Sequence, residues 1–121
     1  MKDILNISDI ILLVDSFYKK VNLDKLLSPI FNDVAKVDWD AHLPVMYSFW
    51  SAVLFDTNTY KGQPVALHLN LPITKDHFKR WLELFKETVD EHFSGEKAEI
   101  AKERADSIAE IFKLRLGLVG S

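Results

Sequence analysis

Apolar residues return every three or four positions along nearly the whole chain, and that period restricts the folds open to it. Ile11, Val14, Tyr18 and Val21, widened by Ile10 and Phe17, make one stripe, and His42, Met46, Phe49, Trp50 and Val53 make a second. Phe78, Trp81, Leu82, Phe85 and Val89 form a third, and Ala101, Ala105, Ile108 and Phe112 a fourth. Side chains at these spacings share one face of an α-helix, whereas a half-buried strand alternates, and no stretch alternates convincingly. Four glycines and four prolines in 121 residues are few, which suits long helices and short connections. An all-α fold is expected, as one domain over residues 1–121, large enough to bury a core without staples.

Local signals set the boundaries. Asn6 and Ser8 offer N-caps to the first helix, with Asp9 well placed against its dipole. Asn22-Leu23-Asp24 breaks that helix, Asp24 caps a short turn that Pro29 ends, and Pro29 to Asp33 reads as a corner turning one large apolar residue inward. Asp38 or Asp40 caps the next helix, which runs to about Phe55. Pro44 lacks an N–H and is tolerable only near a helix start, so the regular helix is expected to begin close to His42. Asp56 to Thr59 is a loop, and Pro64 to His68 is at most two helical turns. Thr74 caps another long helix, Gly95 takes its C-terminal cap role, and a last helix runs from about Glu96 to Leu116 before Gly117 and a frayed tail over 117–121. Unequal helices and an irregular insert around His68 depart from an ideal four-helix bundle and point to a fold built round something.

A formal net charge of -3 with no basic cluster leaves no electrostatic footprint for nucleic acid. Zero cysteines exclude disulfides, thiolate ligation of haem, cysteine zinc sites and iron–sulfur clusters. The run Ile10 to Val14 is too short to span a bilayer, and Met1 to Asn6 lacks the layout of a signal peptide, so a cytoplasmic location away from membranes is expected. HExxH, EF-hand, GxSxG, P-loop and GxGxxG patterns are absent.

Four histidines remain as candidate ligands. His77 lies about 100° from the centre of its helix's apolar face, which makes it a solvated flank, and His92 lies in the last turn, where a cation suits the dipole. Neither has a histidine partner at i, i+4. His68 sits in the apolar run Val65-Ala66-Leu67-His68-Leu69-Asn70-Leu71-Pro72, where a charged ring is disfavoured. It is either a core histidine bonded to a backbone carbonyl or the single protein ligand to a haem iron, and its neighbours do not choose between them. Tyr18, His42 and Trp81 are polar-tipped residues on the inward stripes of three separate helices. Any one of them can bury its ring and send its polar atom to a carbonyl. Three aimed into one interior, with His68 opposite, ask for a buried polar ligand, since each unsatisfied group costs roughly 1–3 kcal/mol.

The sequence resembles the truncated haemoglobins, and among them the third, bacterial group. The resemblance runs from about Asp9 to Leu116 and is carried by Phe17-Tyr18, the Pro29-Ile30-Phe31 corner, and His42-Leu43-Pro44 with Phe49-Trp50. It continues through Tyr60-Lys61-Gly62-Gln63-Pro64, His68-Leu69-Asn70-Leu71-Pro72, His77-Phe78 with Arg80-Trp81-Leu82, and Arg104-Ala105 with Ile108-Ala109. It implies a truncated-globin helical sandwich round haem b, ending in a long C-terminal helix. His68 matches the proximal histidine, Tyr18 and His42 match distal-helix positions, Trp81 the distal tryptophan, and Phe31 the phenylalanine packed on the haem face. Met46 and Trp50 fall one and two turns beyond His42, where the family often has other residue types. Phe49, Tyr60 and Phe85 complete the expected cofactor contacts.

The resemblance further implies binding of O2, CO and NO, with Tyr18 and Trp81 donating hydrogen bonds to the polarised ligand and so holding O2 tightly. His42 donates, swings outward as a gate or approaches the iron. The expected chemistry is detoxification of NO and related oxidants, and with no flavin or nicotinamide motif it needs an external reductase or electron donor. The alternatives are a peroxidase-like haem protein using His42 as acid/base, a gas sensor signalling to a separate partner chain, and, from a different class, a haem-free helical interaction module.

Overall fold

The computed structural model of the protein describes residues 1–34, 36–55 and 73–115, and every regular element among them is helical. Helix α1 spans Ile7–Leu23 and starts as its sequence directs, the Asn6 side chain accepting the Asp9 N–H at 3.1 Å. Its buried stripe is Ile10, Leu13, Val14, Phe17, Tyr18 and Val21. Ile11, expected inward, is 37% exposed, because the stripe centres on Leu13 and Phe17 and turns Ile11 to its edge.

Asp24 opens the following turn by accepting the N–H groups of Leu26 and Leu27 at 3.1 and 3.0 Å. Pro29 does not end that turn. It begins a short π-helical segment, Pro29–Val34, where a residue without an N–H is tolerated because the first amides of a helical turn have no partner anyway. The segment brings two apolar residues inward instead of one: Ile30 is buried and Phe31 half-buried. The Val37 N–H then reaches back to the Phe31 carbonyl at 2.9 Å, with Lys36 in a left-handed conformation (φ 51°).

Helix α2, Trp39–Phe55, begins a turn earlier than Pro44 led us to expect. The N–H groups of Ala41 and His42 bond to the Asp38 carbonyl at 3.1 and 2.8 Å, so Pro44 lies in the second turn. The missing N–H would have served the Asp40 carbonyl alone, so the helix forfeits one bond and keeps its path. Residues 56–72, Tyr60 and His68 among them, lie outside the described residues, as do residues 116–121.

Helix α3 is Lys75–His92, with Thr74 as N-cap and Phe93 as C-cap, and α4 is Glu96–Arg115. Gly95, expected to close α3, opens α4 instead: its carbonyl accepts the Glu99 N–H at 3.0 Å. Its φ of +138° and a neighbour explain why glycine stands here, since an added Cβ would fall 2.7 Å from Asp3 Cγ. That neighbour is itself a cap. The Asp3 carboxylate accepts the N–H groups of Lys97 and Ala98 at 2.8 Å each, and the Lys2 carbonyl accepts that of Ser94 at 2.9 Å. Lys2 also pairs with buried Asp9 at 2.7 Å, and Lys97 Nζ donates to the Leu54 carbonyl near the end of α2 at 2.8 Å.

Helix α1 packs on α2 and α3, and α4 packs on the same two, giving a two-layer helical sandwich. Phe78 meets Phe112, Lys86 pairs with Asp106 and Asp90 with Lys102, so α3 and α4 run antiparallel. No helix among the described residues is long and apolar enough to cross a membrane.

Candidate functional site

The first halves of α2 and α3, the second half of α4 and the Tyr18 turn of α1 do not close on one another completely. They leave a cleft with about 920 Å³ of atom-free space between its walls, its open mouth included. Its walls are largely apolar: Leu27, Ile30 and Phe31 after α1, Val45, Met46, Phe49 and Trp50 from α2, Ile73, Phe78 and Trp81 from α3, and Ile108, Ala109 and Phe112 from α4. The polar side chains among its described lining are those of Tyr18, His42 and His77 and the indole of Trp81.

The structure brings Tyr18, Phe31, His42, Met46, Phe49, Trp50 and Trp81 to one cleft. Phe85 is elsewhere. It is fully buried, stacked between Trp50 (4.7 Å, 16°) and Trp81 (5.8 Å, 12°), and forms the layer behind the wall. Its part is to hold two tryptophans in parallel planes, each such pair contributing about 0.5–1.5 kcal/mol beyond burial. Tyr60 and His68 fall outside the described residues.

Tyr18 is 5% exposed and its ring lies edge-on to His42 at 5.4 Å. Burial raises its phenol pKa far above the ordinary value, and no hydrogen bond contributes to that shift. Its hydroxyl is therefore a neutral donor at any physiological pH. Phe17 packs against Tyr18 on one side (4.9 Å) and the Trp81 indole on another (5.7 Å), spacing the two polar tips along one wall. The Trp81 N–H makes no hydrogen bond with a described residue. Below them Arg80 pairs with Asp24 at 2.6 Å, which fixes the start of α3 against the turn after α1. Burial opposes ionisation of Asp24, but Arg80 and the Leu27 and Leu26 amides outweigh it and hold the carboxyl below its usual range.

His77 is not the solvated flank expected of it. Its Nδ1 accepts the Thr74 N–H at 2.9 Å and lies 2.9 Å from the Thr74 hydroxyl, so the ring caps α3 while lining the cleft. With Nδ1 accepting, the neutral ring carries its hydrogen on Nε2 and keeps no lone pair for a metal. No cluster of three metal-ligating side chains occurs among the described residues.

Trp39 escaped the sequence reading. It stacks on Phe31 (5.8 Å, 27°), packs against Tyr18 (5.2 Å) and His42 (5.7 Å), and donates its N–H to Asn32 Oδ1 at 2.9 Å. The signal was present, because positions 39, 42, 46, 49, 50 and 53 continue one stripe. Placing the regular helix start close to His42 cut the stripe short.

Four helices enclosing an apolar cleft, with donors on one wall, define a helical protein organised round a flat or small buried ligand. A model of the bacterial-like globin family matches residues 6–113. The group 3 truncated haemoglobin of Campylobacter jejuni is 34% identical over 113 residues, which make up 90% of this chain and 89% of that one. The crystal structure of group III truncated haemoglobin from Campylobacter jejuni matches with a TM-score of 0.86 and 36% identity, over 96% of this chain and 95% of that one. The chain belongs to the bacterial-like globins, as a group III truncated haemoglobin. Membership carries haem-based binding of diatomic gases in general. The residues present fit such a group: aromatic and aliphatic walls take a macrocycle, and Tyr18 Oη, satisfied by nothing described, takes a polar ligand.

Proposed function

We propose that this chain holds haem b through His68 and binds O2 tightly enough to serve oxygen-linked redox chemistry, above all the conversion of NO to nitrate. When bound, the haem supplies an iron with a coordination position open to a diatomic gas. The observation that carries the reading is the pair of donors, Tyr18 Oη–H and Trp81 Nε1–H, that no described residue satisfies on the wall of an apolar cleft. A hydroxyl and an indole N–H favour a ligand whose outer atom carries negative charge, and Trp can only donate. O2 is such a ligand and CO much less so. If each bond contributes roughly 1–2 kcal/mol in a dry cleft, the two slow O2 release by about 30- to 900-fold. That retention is poor for delivery and suits a reaction. NO, O2 and one electron balance to nitrate, the electron coming from an outside reductase or donor, since no flavin or nicotinamide motif is in the chain.

The part of His68 rests on the family resemblance, and the exclusion of His77 supports it, since the capping bond at Nδ1 leaves that ring without a lone pair. His68→Ala should abolish the Soret band of the reconstituted protein while His77→Ala leaves it unchanged; the reverse result refutes the assignment. Rapid mixing of the oxygenated protein with NO should give nitrate one for one at a near-diffusional rate. A slow reaction removes the dioxygenase activity and leaves gas binding standing, and no Soret band at all returns the chain to the class of haem-free interaction modules.

A further inference from the structure

A chain of side-chain amides runs from the backbone of Tyr18 to the ring that packs against its side chain. Asn22 Nδ2 donates to the Tyr18 carbonyl at 3.0 Å, Asn32 Nδ2 donates to Asn22 Oδ1 at 2.8 Å, and Trp39 Nε1 donates to Asn32 Oδ1 at 2.9 Å. The two ends determine the polarity of every link. An indole N–H only donates and a backbone carbonyl only accepts, so each amide has one permitted orientation and no equivalent flip. The relay closes a ring, because the Trp39 indole then lies against the side chains of Tyr18, Phe31 and His42 together. Trp39 is not itself part of the cleft wall. Asn32 sits one residue after Phe31 in the π-helical turn, so one irregular turn both presents a ring to the cleft and anchors the indole behind it. Irregular helical turns of this kind are rare and occur most often beside functional sites.

We propose that Trp39, oriented by Asn32 and Asn22, is the positioning residue of the gas-binding site, fixing the angle at which the Tyr18 and His42 side chains face the ligand. It rests on the haem reading above and adds to it the device that keeps the distal donors in a single arrangement. Outer contacts of this sort, one layer from a metal's ligands, commonly change function by about tenfold when removed.

The relay makes a prediction that simple packing does not. Asn32→Asp is nearly isosteric at an exposed position, yet a carboxylate cannot donate to Asn22, so the chain breaks at its middle. Trp39→Phe keeps a six-membered ring against Tyr18 but loses the N–H together with part of the indole, so Asn32→Asp is the variant that separates the relay from packing. The carbonmonoxy form of each variant is compared with wild type by the C–O stretching band, with O2 dissociation measured alongside. The expected result is one narrow band in wild type, broadened or split in both variants, with O2 leaving about tenfold faster and the double variant no worse than either single one. Wild-type bands and O2 release in both variants, whatever their melting temperatures, overturn the proposal, as do fully additive effects in the double variant. A wild type that takes up haem and CO while the variants match it sinks the relay alone; a wild type without a Soret band sinks the gas-binding reading and the relay with it.

Discussion

Removing the Tyr18 hydroxyl should push two properties of the protein in opposite directions. In Tyr18→Phe the ring remains against Phe17, Phe31, Trp39 and His42, so packing is conserved. The hydroxyl it loses opens on the cleft and makes no bond to a described residue, so no internal bond is broken. An unsatisfied buried polar group costs roughly 1–3 kcal/mol, and because Tyr18 lines an open cleft the low end applies. The haem-free variant should therefore be as stable as wild type or more stable by up to about 1 kcal/mol. A hydrogen bond to a partly charged ligand contributes more, about 1.5–2 kcal/mol, which is a 10- to 30-fold faster loss of O2. CO, being less polarised, should dissociate within about threefold of wild type by the same reasoning. Urea unfolding of the haem-free protein measures the first effect and stopped-flow displacement of O2 and CO the second. A loss of more than about 1 kcal/mol in the haem-free state would mean the hydroxyl is structural, since such a cost is what a broken internal bond gives. Equal acceleration for O2 and CO would refute the donor argument, because a change in access alone treats both gases alike.

The clasp at the other end of the sandwich gives further tests. Burial of the Asp3 carboxyl opposes ionisation, but the N–H groups of Lys97, Ile4 and Ala98 and the Lys97 charge outweigh it and hold the pKa below the usual value. A group with a depressed folded pKa stabilises fully above its unfolded value, near 3.9, and that contribution is lost as pH falls through the folded value. Asp3→Asn should cost about 1 kcal/mol at neutral pH, as for a lost helix cap, and flatten the acid limb of a urea midpoint against pH; an unchanged limb would show that Asp3 does not cap α4 in solution. Gly95→Ala meets both an unfavourable φ and the Asp3 carboxylate, so it should lose about 1–3 kcal/mol from backbone strain and melt roughly 4–12 °C lower. A melting temperature within error of wild type would show that the N-terminal segment is not seated there.

The helices were legible because the signal that makes them is local. Spacing alone places Val14, Phe17, Trp50, Phe85 and Ala105 in the interior, and the structure buries all five. Where the reading failed, the missing information was distant in sequence. Gly95 looks like the end of α3, and only Asp3, far away along the chain, reveals it as the start of α4. Asp38 is legible as a cap and the helix does start after it, but the visible penalty of Pro44 drew the expected regular start on to His42. That single misplacement concealed Trp39. Phe85 and Trp81 lie on one apolar face, and periodicity cannot say which of two stacked rings touches a ligand and which supports it. His77 was misjudged for a different reason: a histidine just off the apolar stripe acquires its position from the Thr74 amide it accepts, a bond that composition and period do not encode.

The two ends of the sandwich differ in how their polar groups are satisfied, and the division has a physical sense. Around Asp3, Asp9, Gly95, Lys97 and Leu54 the N-terminal segment, the end of α2 and the α3–α4 turn are joined by bonds that satisfy the carboxylates and the helix-end groups they meet. At the opposite ends of α2, α3 and α4 the walls part, and the Tyr18 and Trp81 donors are left unsatisfied by any described neighbour. Donors left unpaired by the protein on an apolar wall are available to a ligand that enters the cleft. The clasp stabilises the fold without touching the cleft. Stability and binding are thereby drawn largely from separate groups, so substitutions in the clasp should lower the melting temperature and leave gas affinity alone, whereas loss of the Tyr18 hydroxyl should change gas affinity and leave the melting temperature nearly unaltered.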